Sequence, residues 1–196
     1  MEKGSTGSAI LKSAILVVLG AIIVLGLYLL FTRNHKTPTE EEYNLTVVDE
    51  ITTTNLEKDY PAGARKVVEL YARTMQILYK EEYTDEQEQK MIDILMGIMD
   101  EELLTNNLNF ADGIRAEVAG RKSDDYSISN YVITQAREPE EVKVDGRIMC
   151  TVECLFSLRH GSNGTSANYY EFIMRRDQVT GNWKILGWVI KDENDD

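Results

Sequence analysis

The chain has 196 residues, 43% of them hydrophobic, and a formal net charge of -12 at pH 7. From residue 37 onward, 32 acidic residues outnumber 17 basic ones, which gives this part a formal charge of -15. Such acidity excludes nucleic acid as a partner and opposes docking on anionic lipid, because both are polyanions. Beyond a linker, about 135 residues remain, which is enough for one domain with its own core.

The first predicted element is an apolar segment from Ser13 to Thr32, whose 20 residues carry no formal charge. As a helix rising ~1.5 Å per residue, it would extend ~30 Å, the thickness of the hydrocarbon core of a bilayer. A cleaved signal peptide is an alternative, but its apolar region would run only ~7–15 residues. A core helix is another, but this run exceeds what a small domain usually encloses. We expect residues 13–32 to be an uncleaved single-pass anchor that follows a short tail, residues 1–12.

The positive charges on the two sides of this segment are nearly equal in number, so they barely distinguish its two possible orientations in a membrane. Lys3 and Lys12 precede it, whereas Arg33 and Lys36 follow it. A short N-terminal tail, one span and a C-terminal domain form the usual signal-anchor layout. We therefore expect the N-terminus inside and the domain on the extracytoplasmic side.

A flexible linker is predicted over residues 33–60. It begins with clustered Thr and Glu residues after Lys36 and ends with the Thr- and Asn-rich run Ile51–Asn55. Low apolar content and clustered charge resist packing into a core. One short apolar patch, Leu45–Val48, interrupts the linker and is compatible with a strand or with a docked arm.

Helical spacing of apolar residues begins after Pro61, since proline in a first helical turn costs no hydrogen bond. This first helix is predicted to stop near Glu82. A second helix starts at Thr84, because Thr84 and Gln87 have the spacing of a capping box. It either extends through Asp100-Glu-Glu-Leu-Leu or breaks there into a short extra turn.

A third, short helix is predicted from a cap at Asp112 to a stop at Gly120. From Tyr126 the apolar period changes from 3.6 to 2, which is typical of strands. The clearest strand has alternate residues from Ile148 to Leu158 that are all apolar, as in a half-buried antiparallel strand. The four predicted strands are Tyr126–Ile133, Arg147–Arg159, Asn168–Asp177 and Trp183–Ile190.

Short turns join the last three strands, so neighbours in sequence should pair antiparallel. The helices must then cover the apolar face of the sheet. The predicted fold class is α+β: an N-terminal transmembrane helix, then three helices packed on a curved four-stranded antiparallel sheet. The domain would span residues 61–191, followed by an acidic tail at residues 192–196.

Helices first, an antiparallel sheet last and the closing strand Gly181-Asn-Trp-Lys-Ile-Leu-Gly-Trp188 resemble the NTF2-like (cystatin-like cone) superfamily over residues 61–191. With an N-terminal anchor, the layout is similar to the VirB8-like and TcpC-like components of conjugation machines. Asn55-Leu-Glu-Lys-Asp-Tyr-Pro and Val67-Val-Glu-Leu-Tyr71 look like an uncharacterised bacterial family of small single-pass proteins. These resemblances imply a cone-shaped domain at a bacterial cell membrane, as a subunit of an envelope assembly.

Cys150 and Cys154 invite a metal or redox interpretation, but their spacing opposes it. Four strand residues at ~3.3 Å each place their Cα atoms ~13 Å apart, beyond the ~7 Å limit of a disulfide. The spacing is also poor for one tetrahedral zinc ion. We expect both to be small buried apolar residues. The candidates to line the core or a pocket are Cys150, Cys154, Phe156, Tyr170 and Phe172.

Neither histidine is a strong catalytic candidate, because His35 adjoins the predicted anchor and His160 a predicted hairpin tip. The sequence has no Gly-rich phosphate loop, nucleophile elbow or H-E-x-x-H motif. NTF2-like enzymes typically place Asp, His or Tyr inside the cone, and here Tyr126, Tyr131 and Tyr170 could line a pocket. We expect no catalytic residue, no cofactor and no metal site.

Two classes of function remain. The favoured one is a non-enzymatic, membrane-anchored interaction or scaffold module that binds another protein. The alternative is a small-ligand-binding or enzymatic domain with an apolar pocket between helices and sheet. A pocket with convergent polar groups would favour the alternative, and a filled cone with an exposed apolar patch would favour the first. Trp183 and Trp188 are expected on opposite sheet faces, and the exposed one is the candidate partner contact.

Overall fold

The computed structural model describes residues 45–191, which form a mixed α+β fold with one antiparallel sheet. The predicted anchor at residues 13–32 and the acidic tail at residues 192–196 lie outside the described residues. Between residues 45 and 191, no helix combines the length and the apolar character needed to cross a bilayer.

This described part contains five helices and five strands. The helices are α1 (Val47–Thr52), α2 (Ala64–Lys80), α3 (Asp85–Ile98), α4 (Glu101–Asn106) and α5 (Phe110–Ser123). The strands are β1 (Tyr126–Ile133), β2 (Val142–Val144), β3 (Arg147–His160), β4 (Thr165–Arg176) and β5 (Trp183–Lys191). The α+β class and the antiparallel sheet are confirmed. Helix α1 and strand β2 come in addition to the three helices and four strands predicted, and α4 corresponds to the short extra turn that is one of the two predicted alternatives.

Residues 45–60 differ from the flexible linker predicted there, because they begin with the docked helix α1. Its N-cap is a capping box: Asp49 N donates to Thr46 Oγ1 at 3.1 Å, and Thr46 N donates to Asp49 Oδ2 at 3.1 Å. Val48 and Ile51 are buried in the core. Of the two alternatives for the short apolar patch, a docked arm describes the structure, with a helical backbone.

The capping box predicted for α3 is confirmed. Gln87 N donates to Thr84 Oγ1 at 3.3 Å, and Thr84 N donates to Gln87 Oε1 at 2.9 Å. This helix does not extend into α4: the chain breaks, and the side chain of Asp100 accepts a hydrogen bond from Glu102 N at 2.9 Å to cap α4. Of the two alternatives for this segment, the short extra turn is therefore the one observed.

The last helix differs from its prediction at both ends. Asn109, not Asp112, occupies the N-cap of α5, and Asp112 lies in the first turn. The helix also passes through Gly120 and ends at Ser123. An acidic side chain in a first turn still interacts favourably with the helix dipole, so Asp112 suits this place without being the cap.

The sheet has the order β1-β3-β4-β5, and β2 pairs with the beginning of β3. All of these pairs are antiparallel. β2 and β3 are joined by Asp145-Gly146, whose φ angles of 49° and 80° are those of the two-residue turns that hairpins favour. Since β1 pairs with the second half of β3 and β2 with its start, β3 supports two shorter strands along one edge.

The core lies between one face of the sheet and the helices. Helix α2 contacts β1, β3, β5 and α5, so it holds the two layers together. The largest fully buried side chains come from α2, α3 and the sheet, namely Leu78, Met91, Ile92, Leu95, Ile98, Phe172, Met174 and Ile185. Their burial removes apolar surface from water, which is the main favourable term in folding.

A register shift in β5 places both tryptophans on the side of the sheet that faces the helices. Ile185 and Gly187 lie opposite consecutive residues of β4, so Leu186 is an extra residue on β5. One extra residue reverses the alternation of side chains along a strand. Trp188 therefore packs against α2. The prediction that Trp183 and Trp188 occupy opposite faces is wrong for this reason.

Candidate functional site

The two ends of β5 differ in how the space between sheet and helices is filled. We call the end with Tyr60, Asp100, Arg175, Arg176 and Trp183 the closed end, because side chains from several elements cover Trp183 there. A surface groove of about 490 Å³ runs past Asp100 and Arg175 at this end but is not lined by Trp183. We call the end with Tyr71, Tyr79, Glu117, Tyr170 and Trp188 the open end, because a cavity and a groove lie there.

At the closed end, Trp183 is covered by charged and aromatic neighbours, so that only 7% of its surface is exposed. The guanidinium carbon of Arg176 lies 4.6 Å from the centroid of its ring, a cation–π distance. Arg176 also pairs with Glu141 at 2.5 Å. The Tyr60 hydroxyl donates to the Trp183 carbonyl at 2.8 Å, and burial raises the pKa of Tyr60 well above its usual value.

A largely buried ion pair completes the closed end. Arg175 holds both carboxylate oxygens of Asp100, one of them through Nε at 2.9 Å, and it also donates to Glu102 at 2.7 Å. Such bidentate pairs are stronger and more directional than single hydrogen bonds. Asp100 also caps α4, and its backbone nitrogen donates to the Ile185 carbonyl at 2.8 Å. One residue thus ties α4, β4 and β5 together.

At the open end, a cavity of about 80 Å³ lies between α2, α5 and the sheet. Aromatic side chains make up much of its wall, and two pairs are in contact: ring centroids of Tyr71 and Trp188 lie 5.6 Å apart, and those of Phe156 and Tyr170 lie 5.2 Å apart. The cavity exceeds the ~30 Å³ share of one water. It is well below the ~300–1,000 Å³ of pockets for drug-sized molecules, so it suits a small chemical group.

Two opposite charges on α5 also border this cavity, Glu117 and Arg121 one helical turn later. The Tyr79 hydroxyl donates to Glu117 Oε1 at 2.7 Å. Burial first, and then the charge of Glu117, raises the pKa of Tyr71 and of Tyr170. The three phenols are neutral at physiological pH, and Arg121 partly offsets the effect of Glu117 on the pKa values of Tyr79 and Tyr170.

An open groove of about 760 Å³ adjoins the cavity and shares Glu117 and Trp188 with it. The groove runs along the end of α4, the loop into α5, the first turns of α5 and Gly187 of β5. Leu108 in this loop is 89% exposed, and Ile190, two residues after Trp188 on β5, is 62% exposed. The surface beside the open end is therefore apolar and accessible.

The two cysteines do not belong to the cavity. Both are free thiols buried on the helix-facing side of β3, where Cys150 lies opposite Met174 and Cys154 opposite Tyr170. Burial raises the pKa of each thiol to about 12. They are thus neutral and weakly nucleophilic at physiological pH. No group of three or more potential metal ligands occurs within residues 45–191.

The structure divides the residues singled out by the sequence into two sets. Three of them line the cavity, namely Phe156, Tyr170 and Trp188. The others are buried in the core and do not line the cavity, namely Cys150, Cys154, Phe172 and Trp183, although the ring of Phe172 packs behind Tyr71 and Trp188 in its wall. Tyr126 and Tyr131 do not line it either, and Tyr126 stacks instead on His160 at 4.2 Å between ring centroids.

Sequence reasoning missed the helical half of the cavity. Tyr71, Met75 and Tyr79 are spaced four apart on α2, a pattern that indicates a buried face without indicating a void. Glu117 and Arg121 have the same spacing on α5, where opposite charges usually form a solvated surface pair. Only the packing of α5 against α2 and the sheet shows that these side chains converge.

Fold and site together define a small α+β domain with one closed end and one aromatic cavity beside an open groove. The chain belongs to the family described as "Domain of unknown function (DUF6715)", whose model matches residues 1–188. Among solved structures, it is similar to the crystal structure of the intermembrane space region of the chloroplast protein ARC6. That similarity has a TM-score of 0.34 and 10% sequence identity over 70% of this chain and 96% of the other. Comparison with curated proteins gave no match.

Proposed function

We propose that this protein is a non-enzymatic, membrane-anchored interaction module whose domain binds an extended segment of another protein in the groove at the open end. The observation that carries the proposal is apolar surface exposed beside a strand edge. Leu108, which is 89% exposed, and Trp188 line the groove, and Ile190, two residues after Trp188 on β5, is 62% exposed. Contiguous apolar surface of this kind is typical of protein-binding sites, and tryptophan is enriched among the residues that dominate binding energy.

Strand β5 offers backbone groups to such a partner. Among residues 45–191 it pairs with β4 alone, apart from one isolated parallel bridge between Met99 and Ile185. An edge strand presents N–H and C=O groups that an added strand can use, while neighbouring pockets take alternate side chains. The acidity of the chain favours a segment flanked by basic residues.

Site-specific photo-crosslinking of the full-length protein in its native membranes tests this proposal. A photoreactive residue replaces Leu108 or, as a matched control, Val179, which is 93% exposed but lies in the turn between β4 and β5. We expect one defined protein adduct from position 108 and none from position 179. Ile190→Lys should abolish the adduct, because it places a charge beside the groove while leaving the core intact.

Comparison with the control at position 179 also defines the results that would contradict the proposal. Equal adducts from both positions, or an adduct that persists in a folded Ile190→Lys protein, would show that the groove is not the contact. Circular dichroism of the Ile190→Lys protein establishes that it is folded.

The anchor and its orientation are the second part of the proposal. The uncharged run at residues 13–32 supports a single span in a bacterial cell membrane, with the domain on the extracytoplasmic side. The full-length protein should then remain with membranes through high-salt and carbonate washes, and protease admitted through a permeabilised outer envelope should degrade the domain. Release of the protein by these washes would contradict the proposed anchor. Protection of the domain from protease until the inner bilayer is lysed would indicate the opposite orientation.

The finer fold assignment is also a proposal. Helices that precede an antiparallel sheet, and a closing strand that begins Trp183-Lys-Ile, support an NTF2-like cone and, through the resemblance to conjugation components, a subunit of an envelope assembly. An experimental structure whose helices and sheet do not superpose on NTF2-like cones would contradict it.

A small-ligand-binding domain is the second candidate, and the cavity favours it. Polar groups from α5 converge there with aromatic side chains from α2 and the sheet. The cavity and the groove share Trp188, so one domain can carry both activities.

A further inference from the structure

We infer that the cavity at the open end binds a quaternary ammonium group, the cationic part of a small zwitterion whose anionic part lies at Arg121. Trimethylammonium followed by a carboxylate or a phosphodiester, as in betaine or a phosphocholine group, has this chemistry. The inference goes beyond the protein-binding role proposed above, because its ligand is a small molecule or headgroup.

The cavity wall has the composition of a cation-binding cage. Five aromatic residues line it: Tyr71, Tyr79, Phe156, Tyr170 and Trp188. The faces of aromatic rings attract cations, and Trp and Tyr do so most strongly. Phe156 and Tyr170 meet at an interplanar angle of 84°, and Tyr71 and Trp188 at 41°, so the wall is built from faces and edges in several directions. A methylated ammonium suits this surface because its methyl groups make apolar contacts while its charge meets the rings.

One of the two charges at the site, the carboxylate of Glu117, has the sign that an ammonium group requires. Glu117 borders the cavity and accepts the Tyr79 hydroxyl at 2.7 Å, which fixes its carboxylate against the aromatic wall. Its field reaches the phenols of Tyr71 and Tyr170, whose pKa values it helps to raise after burial. No other carboxylate lines the cavity in the part of the chain that the structure describes.

Arg121 explains why the ligand is a zwitterion and not a simple cation. It also lines the cavity, one turn beyond Glu117, and its side chain is exposed. The guanidinium carbon lies 5.4 Å from the Tyr126 ring centroid, which steadies the side chain at the rim. A guanidinium binds carboxylate and phosphate in a two-pronged geometry. The two charges thus match a ligand that carries one charge of each sign a few bonds apart.

The size of the site agrees with this ligand. About 80 Å³ is several times the ~10–15 Å³ that one water needs, enough for the four heavy atoms of a trimethylammonium group. The cavity is too small for a whole metabolite of ordinary size. The remainder of the ligand would extend past Arg121 or into the adjoining groove, which shares Glu117 and Trp188 with the cavity.

Titration of small probes into the full-length chain tests the inference. The protein is purified in a maltoside detergent, which carries no ammonium group, and binding is followed by calorimetry. We expect phosphocholine and betaine to bind, choline to bind more weakly, and 3,3-dimethylbutanol to bind roughly tenfold more weakly than choline. This alcohol has the shape of choline without its charge, and a tenfold loss corresponds to about 1.4 kcal/mol.

Two substitutions separate the two charges. Glu117→Gln keeps an acceptor for the Tyr79 hydroxyl and removes the carboxylate charge. It should therefore weaken the binding of choline and of phosphocholine by roughly tenfold each. Arg121→Gln should weaken the binding of phosphocholine without weakening that of choline, because it removes the partner of the phosphate and a positive charge beside the ammonium group. Asp112→Asn is the matched control, because Asp112 is an exposed carboxylate on the same helix that does not line the cavity. It should leave every affinity unchanged.

Several results would overturn the inference. Absence of binding by all probes at millimolar concentrations, equal binding of choline and 3,3-dimethylbutanol, or indifference of choline to Glu117→Gln would each exclude an ammonium site. Short-chain, water-soluble phosphatidylcholine and phosphatidylglycerol then distinguish the source by calorimetry, because the proposed anchor would hold the full-length protein on any vesicle. Tighter binding of the phosphatidylcholine than of phosphocholine indicates a lipid headgroup, and weaker binding, with phosphocholine bound, indicates a free solute. The crosslink from position 108 is a separate readout, so failure of one proposal leaves the other standing.

Discussion

The closed and open ends of β5 use similar residues to different effect. Each end has a tryptophan that faces the helices, tyrosine neighbours and an acidic and a basic side chain. At the closed end the two charges come from different elements, since Asp100 caps α4 and Arg175 lies on β4, and their pairing draws those elements together. At the open end Glu117 and Arg121 come from the same helix, so they cannot close the gap between α5 and the sheet.

The difference shows what decides the role of a tryptophan in a sheet. At the closed end, Arg176 and Tyr60 from two different elements cover Trp183 and leave it a structural residue. Charges presented side by side by one helix leave space, so that Trp188 lines a cavity and a groove. The strand and the residue type are the same, and the origin of the neighbouring charges differs.

The largest expected effect concerns the tryptophans themselves. Trp183→Ala should lower the free energy of unfolding by about 3–5 kcal/mol, the range for large buried side chains. Trp188→Ala should cost less, about 1–2 kcal/mol, because its side chain already faces a void and a groove. Urea denaturation of both variants measures the two losses of unfolding free energy. Equal losses would mean that the two ends do not differ in packing.

The ion pair of the closed end should give the next largest effect. Asp100→Ala leaves Arg175 with only the exposed Glu102 and removes the cap of α4, so we expect a loss of about 2–4 kcal/mol. Glu102→Gln is the control and should cost below about 1 kcal/mol, since the Glu102 side chain is mostly exposed. Similar losses from the two variants would show that burial of the pair is unimportant.

The buried thiols predict how stability depends on alkaline pH. Burial raises the pKa of Cys150 and Cys154 from 9.0 to about 12, so the native state resists deprotonation. Their contribution is fully present below the unfolded pKa of 9.0 and is lost as pH rises toward 12. Each thiol should lower the unfolding free energy by about 1.4 kcal/mol at pH 10. The Cys150→Ala/Cys154→Ala double variant should show a flatter decline, and parallel curves for both proteins would contradict the assignment.

The same thiols offer the finest comparison of the two ends. Cys150 lies opposite Met174 toward the closed end, and Cys154 lies opposite Tyr170 toward the open end. Local opening should be easier where fewer elements are tied together, so in single-cysteine proteins Cys154 should react with a small thiol reagent about tenfold faster than Cys150. Equal rates would indicate that both thiols become accessible only through global unfolding.

Much of the fold could be predicted from local patterns. The Thr84–Gln87 capping box and the apolar alternation of β3 each depend on residues close in sequence, and both identify their elements correctly. Two missed elements also carried local signals: Thr46 and Asp49 have capping spacing before α1, and Asp145-Gly146 is a typical hairpin turn before β3. These omissions were avoidable.

The candidate site was harder to predict, because its parts are distant in sequence. The extra residue at Leu186 reverses the face of Trp188, and only Gly187 hinted at it, since an isolated glycine in a strand is compatible with a bulge. The pairing of Tyr79 with Glu117 joins α2 to α5 across 38 positions. No spacing rule within either helix indicates that contact, so the cavity is a property of tertiary packing.

The docked position of α1 shortens the stretch of sequence between the domain and the anchor proposed for residues 13–32. Had residues 33–60 all been free chain, the 28 residues could have reached ~100 Å at full extension. Because Val48 and Ile51 are buried in the core, residues from Leu45 onward belong to the domain. With the anchor proposed for residues 13–32, only 12 residues separate the two, a reach of ~40 Å at most. On this proposal, a protein that binds in the groove must itself come close to the membrane surface.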